Sequence, residues 1–308
     1  MAARGPNFVV RQAPRRAVTP SSAVRPADPS NGRVRTLGIA ELTDTLDLVH
    51  RDIAVTLPVA AAIGSRGLDP IVLGHEVWGW FPPGSTSRPV ALLDCAPAIM
   101  PVSAGPAALD DFASRLGPVR RCGSIVGPSE AAIGLWERLR DTSPAWGNVR
   151  SLRPCQPLLL LDRDPAVIAD PRGGVVSARH LQAYLRSAEA MYEEELGVPP
   201  TQPGGYRSHV ARLMDKGHTF GIVDGDEVVF KTDVTVTSRQ FCQIGGVWLT
   251  PRLRGHGFSE TALAGVLTVI RRRWPNVTLY VNDYNQPALA LYRRLGFRQV
   301  GEYASILY

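Results

Sequence analysis

In the second half of the chain, the spacing of apolar and polar residues predicts strands that alternate with helices. Residues 244–249 form a short apolar run with β-branched and aromatic members, and Thr250-Pro251 closes it, which predicts a strand. Residues 260–273 carry apolar positions at helical spacing, which predicts an amphipathic helix. Residues 278–281 predict the next strand, and residues 285–296 predict a short helix that ends at a glycine.

The segment before this run predicts the rest of a mixed sheet. The expected elements are a strand at 175–177, helices at 178–196 and 206–216, and strands at 219–223, 227–231 and 234–236. Asp224-Gly225-Asp226 separates two of these strands, and its Asp-Gly step is typical of a β-hairpin turn.

The first half of the chain repeats this pattern in a weaker form. Helices are expected at 39–53, 58–63, 107–116 and 129–139, and strands at 71–73, 76–81, 90–95, 124–126 and 158–161. The order echoes the second half and indicates a degenerate copy of one fold. Residues 162–174 have the proline, glycine and charge content of a linker. We therefore expect domains at 36–165 and 175–308, joined by residues 166–174, a count that suits 308 residues.

Composition narrows the class of protein. The chain is 44% hydrophobic, but no run of about 18 apolar residues could span a membrane. The cysteines, Cys95, Cys122, Cys155 and Cys242, are scattered without metal-ligand spacing, which argues against a zinc site and a disulfide framework. We expect a cytoplasmic protein with no metal and no membrane partner.

Positive charge is concentrated at the start of the chain. Residues 1–35 hold seven arginines against one acidic residue, Asp28, a net charge of +6 that equals the charge of the whole chain. This segment is rich in proline, serine and alanine and is expected to be disordered. A solvated leader is the favoured interpretation; a weak arm for acidic partners or a transit sequence is the alternative. No specific nucleic-acid partner is expected.

The turn between the strand at 244–249 and the following helix is typical of an anion site. Arg254-Gly255-His256-Gly257 can bend tightly and places bare backbone N–H groups at the positive end of the helix dipole. A P-loop is excluded because the lysine is absent, and a dinucleotide fingerprint because its third glycine is missing.

Two motifs instead resemble the GNAT acetyltransferase superfamily. Arg254-Gly-His-Gly257-Phe-Ser259 resembles its acyl-coenzyme A signature, Arg/Gln-x-x-Gly-x-Gly/Ala, with Ser259 where Gly or Ala is usual. Residues 285–297 match its closing pattern, N-x-x-A-x-x-L-Y-x-x-x-G-F, position for position. The resemblance covers about residues 175–308. It implies a mixed, mostly antiparallel twisted α/β (α+β) sheet flanked by helices, here in tandem with the degenerate first copy.

The resemblance also implies direct transfer of an acetyl group from acetyl-coenzyme A to an amine. Tyr292 matches the general acid that protonates the leaving thiolate, with a core aromatic as the alternative. Asn285 matches a position that orients the cofactor or caps its helix. The residues that match the pantetheine strand and the pyrophosphate loop are Val247, Trp248, Leu249, Arg254, Gly255, His256, Gly257, Phe258 and Ser259. For Val247 and Leu249 ordinary core packing is compatible with this role, and His256 is expected to be exposed.

The general base is not evident. Gln243 occupies the position where many relatives have a glutamate, and an amide cannot accept the proton. Water, a substrate amine of low pKa, or a carboxylate such as Asp283 or Glu194 could replace it. The acidic cluster 193–195 is either a solvated face or part of the acceptor pocket.

The first domain lacks the signature. Its nearest feature is residues 126–130, where Ser129 and Glu130 are expected to cap a helix, so a scaffold or substrate-side role is favoured. The leading hypothesis is an N-acetyltransferase that acts on a primary amine of a small molecule or peptide. The alternatives are a coenzyme A-binding regulator or scaffold and a transferase for another acyl group. A homodimer is left open.

Overall fold

The same order of elements occurs twice along the chain, which the computed structural model describes over residues 32–85, 87–197, 199 and 203–308. Each copy runs strand, two helices, three strands, helix, strand, helix, strand, and the first copy adds two one-turn helices. The first copy comprises β1 (Arg33–Thr36), α1 (Leu42–His50), α2 (Ile53–Arg66), α3 (Pro70–Leu73), β2 (Val77–Phe81), β3 (Ala91–Asp94), β4 (Ala98–Val102), α4 (Pro106–Leu116), β5 (Ser124–Pro128), α5 (Ser129–Arg140), α6 (Pro144–Gly147) and β6 (Ser151–Leu161). The second comprises β7 (Gly174–Val175), α7 (Leu181–Leu196), α8 (Pro203–Asp215), β8 (Thr219–Asp224), β9 (Glu227–Thr237), β10 (Phe241–Leu249), α9 (Phe258–Arg271), β11 (Asn276–Tyr280), α10 (Gln286–Leu295) and β12 (Arg298–Leu307).

All described strands belong to one continuous sheet in the order β1-β2-β3-β4-β5-β12-β6-β11-β10-β9-β8-β7. The pairs are antiparallel except β4 with β5 and β10 with β11. The last strands of the two copies are exchanged: β6 lies between β11 and β12, and β12 lies between β5 and β6. Each copy therefore completes the sheet of the other.

Helices cover both faces of this sheet and bury separate cores. One core lies under α9 and α10 of the second copy, and another under α4 and α5 of the first. A third combines the two copies, because Leu158 of β6 and Tyr303 of β12 pack with α1 and α2. Helix α2 also contacts β9 and β10, so the first copy reaches the central strands of the second.

Several predicted elements are corrected by the structure. Residues 71–73 form helix α3 and not a strand, because Asp69 caps Ile71 N and Pro70 starts the helix. Ser129 does not cap α5: the N-cap is Pro128, and the Ser129 hydroxyl donates to Pro154 O at 2.8 Å. Strands β1, β4 and β12 were not predicted.

The predicted tail and linker have different outcomes. Residues 1–31 lie outside the described residues, but Arg33–Thr36 forms β1 and pairs with β2, so disorder is the wrong prediction for the end of the tail.

The predicted linker has no helix or strand before Gly174 and packs on α9, where Asp170 N donates to Thr261 O at 2.9 Å. The contact is close, because a Cβ at Gly265 would lie 2.2 Å from Asp170 O. The domain borders stay a prediction.

None of the helices in the described ranges is both long enough and apolar enough to cross a membrane.

Candidate active site

Strands β10 and β11 run side by side only at their starts. Their parallel pairing ends at Gln243 and Thr278. Beyond this point β10 has a bulge, and its register on β9 shifts between Gly245 and Trp248. Gly246 in the bulge has a φ of +61°, which glycine adopts without a steric penalty. The two strands therefore diverge and leave a gap between them.

A buried ion pair on β9 lies against this bulge. Lys231 is fully buried, and its Nζ donates to Asp233 Oδ2 at 2.8 Å and to Gly246 O at 3.1 Å. Tyr184 of α7 donates its hydroxyl to Asp233 Oδ1 at 2.6 Å, and burial raises the pKa of this phenol, which keeps it a donor. A Cβ at position 246 would lie 2.9 Å from Lys231 Nζ and from Asp233 Oδ2, so the bulge requires glycine.

Two clefts meet at the gap between the strands. The first has a volume of about 730 Å³ and is walled by α7, β6, β9, β10, β11 and the segment before α10. The second has a volume of about 630 Å³ and is walled by β10, the start of α9 and α10. The residues that line both are Glu194, Val247, Trp248, Asn285 and Tyr292. A molecule in one cleft can thus reach a molecule in the other.

The start of α9 leaves room for an anion in the second cleft. Gly255 and Gly257 have φ values of +83° and +74°, and a Cβ at either would meet no atom within 4 Å. Gly257 is the N-cap of α9 and provides no side-chain cap, so the first turn keeps backbone N–H donors for a ligand.

Most residues predicted to bind the cofactor come together here. The second cleft is lined by Val247, Trp248, Leu249, Arg254, Gly255, Gly257, Ser259 and Asn285. His256 is exposed and Phe258 packs against the core of the second copy, so neither side chain lines either cleft.

Arg254 connects the two clefts. Its guanidinium donates to both carboxylate oxygens of Glu194, at 2.8 and 3.1 Å, and its Nε donates to Leu249 O at 2.9 Å. Both charged side chains are a little under half exposed, so this ion pair is screened and can exchange partners. Glu194, which lines both clefts, and Arg254, which lines the second, are therefore linked.

Tyr292 lies on the inner face of α10. The helix begins at Asn285, whose Oδ1 accepts from Ala288 N at 3.2 Å, which is the capping role that the sequence left open. Tyr292 is only 6% exposed and lines both clefts. Burial raises its pKa well above the usual value, so the phenol is protonated at neutral pH.

The candidate bases differ in position. Gln243 is buried and lines the first cleft, whereas Asp283 is exposed and lines neither cleft. Glu194 lines both clefts but is paired with Arg254. Among the described residues, Glu194 and Glu195 are the carboxylates that line the first cleft.

The residues present suit an acyl-coenzyme A. The buried indole Nε1 of Trp248 has no hydrogen-bond partner among the described residues, and a buried donor left unpaired costs about 1–3 kcal/mol. The amide oxygens of a pantetheine arm along β10 are acceptors of the kind this donor lacks. The uncapped start of α9 supplies donors for a diphosphate. No group of three or more metal-ligating side chains is present in the described part of the chain.

Some of these residues were missed in the sequence. Arg153 and Gln156 come from β6 of the first copy and line the first cleft, which strand exchange alone explains. Lys231 carried a usable signal, because it is one of only two lysines in the chain and sits within an apolar strand pattern.

Two protein families match parts of the chain. Residues 219–305 match the family described as FR47-like protein, and residues 75–184 match a domain of unknown function (DUF4081). None of the curated proteins compared with the chain matches it.

Three solved structures share the fold of nearly the whole chain. A GNAT-family acetyltransferase from Colwellia psychrerythraea is 10% identical, with a TM-score of 0.54 over 90% of this chain and 99% of its own. A GCN5-related N-acetyltransferase from Sphaerobacter thermophilus is 18% identical, with a TM-score of 0.54 over 90% and 95%. A Drosophila protein is 14% identical, with a TM-score of 0.59 over 89% and 98%. At these identities the likeness shows the fold alone.

The repeated order of elements, the splayed strands and the open helix start define a GNAT-fold protein that contains the fold twice. Residues 219–305 are similar to the FR47-like family, and the chain as a whole has the fold of solved GNAT acetyltransferases.

Proposed function

We propose that the protein is an N-acetyltransferase that moves the acetyl group of acetyl-coenzyme A to a primary amine. The observation that carries this proposal is the meeting of two clefts at Val247 and Tyr292. One cleft ends at an open helix start that suits a diphosphate, and the other has room for an acceptor. The thioester would lie where they meet.

The bulge on β10 would stabilise the charge that develops on the thioester oxygen. A peptide group is planar and trans, so the N–H of Val247 points away from the Gly246 oxygen. Lys231 holds that oxygen on the β9 side. The Val247 N–H is thereby directed toward the gap between β10 and β11, where it can donate to the oxyanion of a tetrahedral intermediate.

The remaining steps are the attack of the amine, the departure of the thiolate and the proton transfers that accompany them. The neutral amine attacks the thioester carbon, a C–N bond forms, and the C–S bond breaks as the intermediate collapses. Tyr292 gives its proton to the leaving thiolate, and the proton that the attacking nitrogen loses as the amide forms restores the phenol. We assign the proton of the incoming ammonium to Glu194, the one carboxylate that lines both clefts in the described structure. A diphosphate that draws Arg254 away from Glu194 would free this carboxylate.

Two other functions use the same site. A coenzyme A-binding regulator is suggested by Gln243 in place of a glutamate, and a transferase of another acyl group would need the same loop. The localisation that suits any of them is the cytoplasm, where acyl-coenzyme A is found.

The test is release of coenzyme A thiol from acetyl-coenzyme A over a panel of primary amines, with Tyr292→Phe as the matched variant. We expect the wild-type chain to turn over at least one amine. Turnover should fall about 10²- to 10⁴-fold in Tyr292→Phe, because general-acid catalysis is lost. Calorimetry should show unchanged coenzyme A binding in the variant. Tight binding without turnover on any amine would favour the regulator, and turnover only with other acyl thioesters would favour the third function.

A further inference from the structure

The exchanged strand β6 gives the first copy a place in the active site of the second. Its Gln156 lines the first cleft and is held by two hydrogen bonds: Ser305 Oγ donates to Gln156 Oε1 at 2.6 Å, and Gln156 Nε2 donates to Asn282 Oδ1 at 2.9 Å. This chain of buried polar groups fixes one wall of the cleft. Arg153, three residues before Gln156, lines the same cleft.

Arg153 is the only basic residue that lines the first cleft within the described ranges. Its side chain is only 18% exposed, and its one side-chain partner is Glu195, with Nη1 and Oε1 3.3 Å apart. A guanidinium has five N–H donors in a planar fork, and the Arg153 donors that Glu195 does not take are open to the cleft, where a ligand can reach them. A single long contact leaves most of this fork without a partner.

A carboxylate from an acceptor fits this guanidinium better than Glu195 does. The Arg fork binds a carboxylate through two parallel hydrogen bonds, which are stronger than a single one. Glu195 is 52% exposed and lies in the last turn of α7, so it can leave without uncovering a core. Glu195 then serves as a placeholder for the acceptor's own carboxylate.

We propose that the acceptor is an amine that also carries a carboxylate, an amino acid, and that Arg153 of the first copy binds this carboxylate. The inference rests on the proposed acetyl transfer in the second copy. It gives the first copy a function, because the acceptor site is incomplete without β6. Tyr280 of β11 lines the same cleft.

The test compares matched acceptors. Phenylalanine, phenylalanine amide and phenethylamine share one side chain and differ in the carboxylate, and glycine with glycinamide adds a small pair. We expect KM of the wild-type chain to be about 10- to 100-fold lower for the free acids, as charge-assisted hydrogen bonds are lost without the carboxylate. Arg153→Met should remove this preference with little change in kcat, and Arg153→Lys should keep part of it.

Two further variants separate binding from structure. Glu195→Gln removes the placeholder, so KM for the free acids should fall, a change opposite in sign to that of Arg153→Met. Arg163→Met deletes an exposed guanidinium just after β6 and should change neither KM nor kcat for the free acids. Thermal unfolding of each variant shows whether Arg153→Met is folded, and Arg153→Lys provides the comparison if it is not.

The outcomes distinguish this inference from the proposed function. Two results would overturn the carboxylate site and leave acetyl transfer intact. One is equal turnover of acids, amides and amines by the wild-type chain, and the other is a loss of turnover in Arg153→Met that is the same for all three. If no amine is turned over, calorimetry with each acceptor in the presence of coenzyme A decides the inference. If the wild-type chain binds the free acids and Arg153→Met does not, the carboxylate site is supported without the activity. If no acceptor binds, both the carboxylate site and the proposed acetyl transfer are overturned.

Discussion

Lys231 and Asp233 form an ion pair directly behind the bulge of β10, with Nζ 2.8 Å from Oδ2 and the Asp233 side chain 15% exposed. The lysine is fully buried and also donates to Gly246 O, so the pair fixes the peptide that precedes Val247. Desolvation of such a pair costs several kcal/mol per ion, and hydrophobic replacements are often neutral or stabilising. The geometry that this ion pair imposes on the bulge of β10 explains its presence better than stability does.

Replacement of this lysine should therefore impair catalysis more than cofactor binding. In Lys231→Met the Gly246 oxygen loses its donor, and the Val247 N–H loses its fixed direction. We expect kcat to fall about 10²- to 10³-fold, the cost of one misplaced oxyanion donor. The Kd of coenzyme A, measured by calorimetry, should change little because the loop at the start of α9 is untouched.

The matched control is Lys216→Met, the other lysine of the chain, which is exposed at the end of α8. It should have wild-type kcat. The double variant Lys231→Met with Asp233→Asn should unfold at a higher temperature than Lys231→Met alone, since a lone buried charge is the costly state. A wild-type kcat in Lys231→Met would show that the ion pair does not position the bulge.

Tyr292 should not limit activity at alkaline pH. Burial raises its pKa above the usual value near 10, so the phenol keeps its proton and remains a donor throughout the range from about pH 7 to 10. The kcat profile should therefore show no alkaline decline in this range. The same raised pKa should lower the free energy of unfolding above about pH 10, because unfolding then releases the proton. Tyr292→Phe should show a smaller alkaline loss of stability; a kcat decline near pH 8 would contradict the assignment.

The sequence predicts the second copy well because its signals are local. The glycine turn before α9, the helix that carries Tyr292 and the Asp-Gly hairpin each depend on residues close in the chain. The alternating apolar runs predict β8 to β11 for the same reason. The site residues on β10 and α10 were found by their motifs, and their meeting at two clefts follows from the fold.

The strand exchange could not be predicted in this way. Residues 298–307 mix polar and apolar positions around Gly301 without regular alternation and carry no signal that specifies a partner strand. The pairing of β12 with both β5 and β6 depends on residues about 140 to 180 positions apart. Arg153 and Gln156 therefore looked like features of the first domain, although they line the cleft of the second.

A glutamate at position 243 should accelerate the reaction. Gln243 is buried and lines the first cleft, the proposed acceptor site, and burial would raise the pKa of a glutamate there toward neutrality, which suits a general base. We expect Gln243→Glu to raise kcat/KM at neutral pH by about tenfold or more. The acid limb of its pH profile should move to lower pH. Gln243→Leu, which like the wild type has no carboxylate at this position, should match the wild-type profile in shape; an unchanged rate in Gln243→Glu would show that a carboxylate at position 243 does not take part in proton removal.

Glu194→Gln should affect binding and turnover in opposite directions. The guanidinium of Arg254 loses its carboxylate partner and becomes available to a diphosphate, so the Kd of coenzyme A should fall about two- to fivefold, as for an exposed ion pair. Turnover should fall because the proposed base is absent. Gln243→Glu in the same chain should restore part of it. Glu193→Gln, one residue earlier and exposed, is the control, and weaker coenzyme A binding in Glu194→Gln would contradict the exchange.

The two halves should fold only together, because each contains a strand that the other needs. In a fragment of residues 166–308, β11 and β12 lose β6 from between them, and both edges are exposed. The four leucines 158–161 of β6 are buried, at about 1.5–3 kcal/mol each, which together rivals the whole stability of a typical domain. We expect fragments 1–165 and 166–308 to be insoluble or unfolded by circular dichroism when produced singly. Co-expression should restore a soluble complex with thiol-release activity, since a break at this border leaves every strand pair available; an active, folded 166–308 fragment would show that β6 is dispensable.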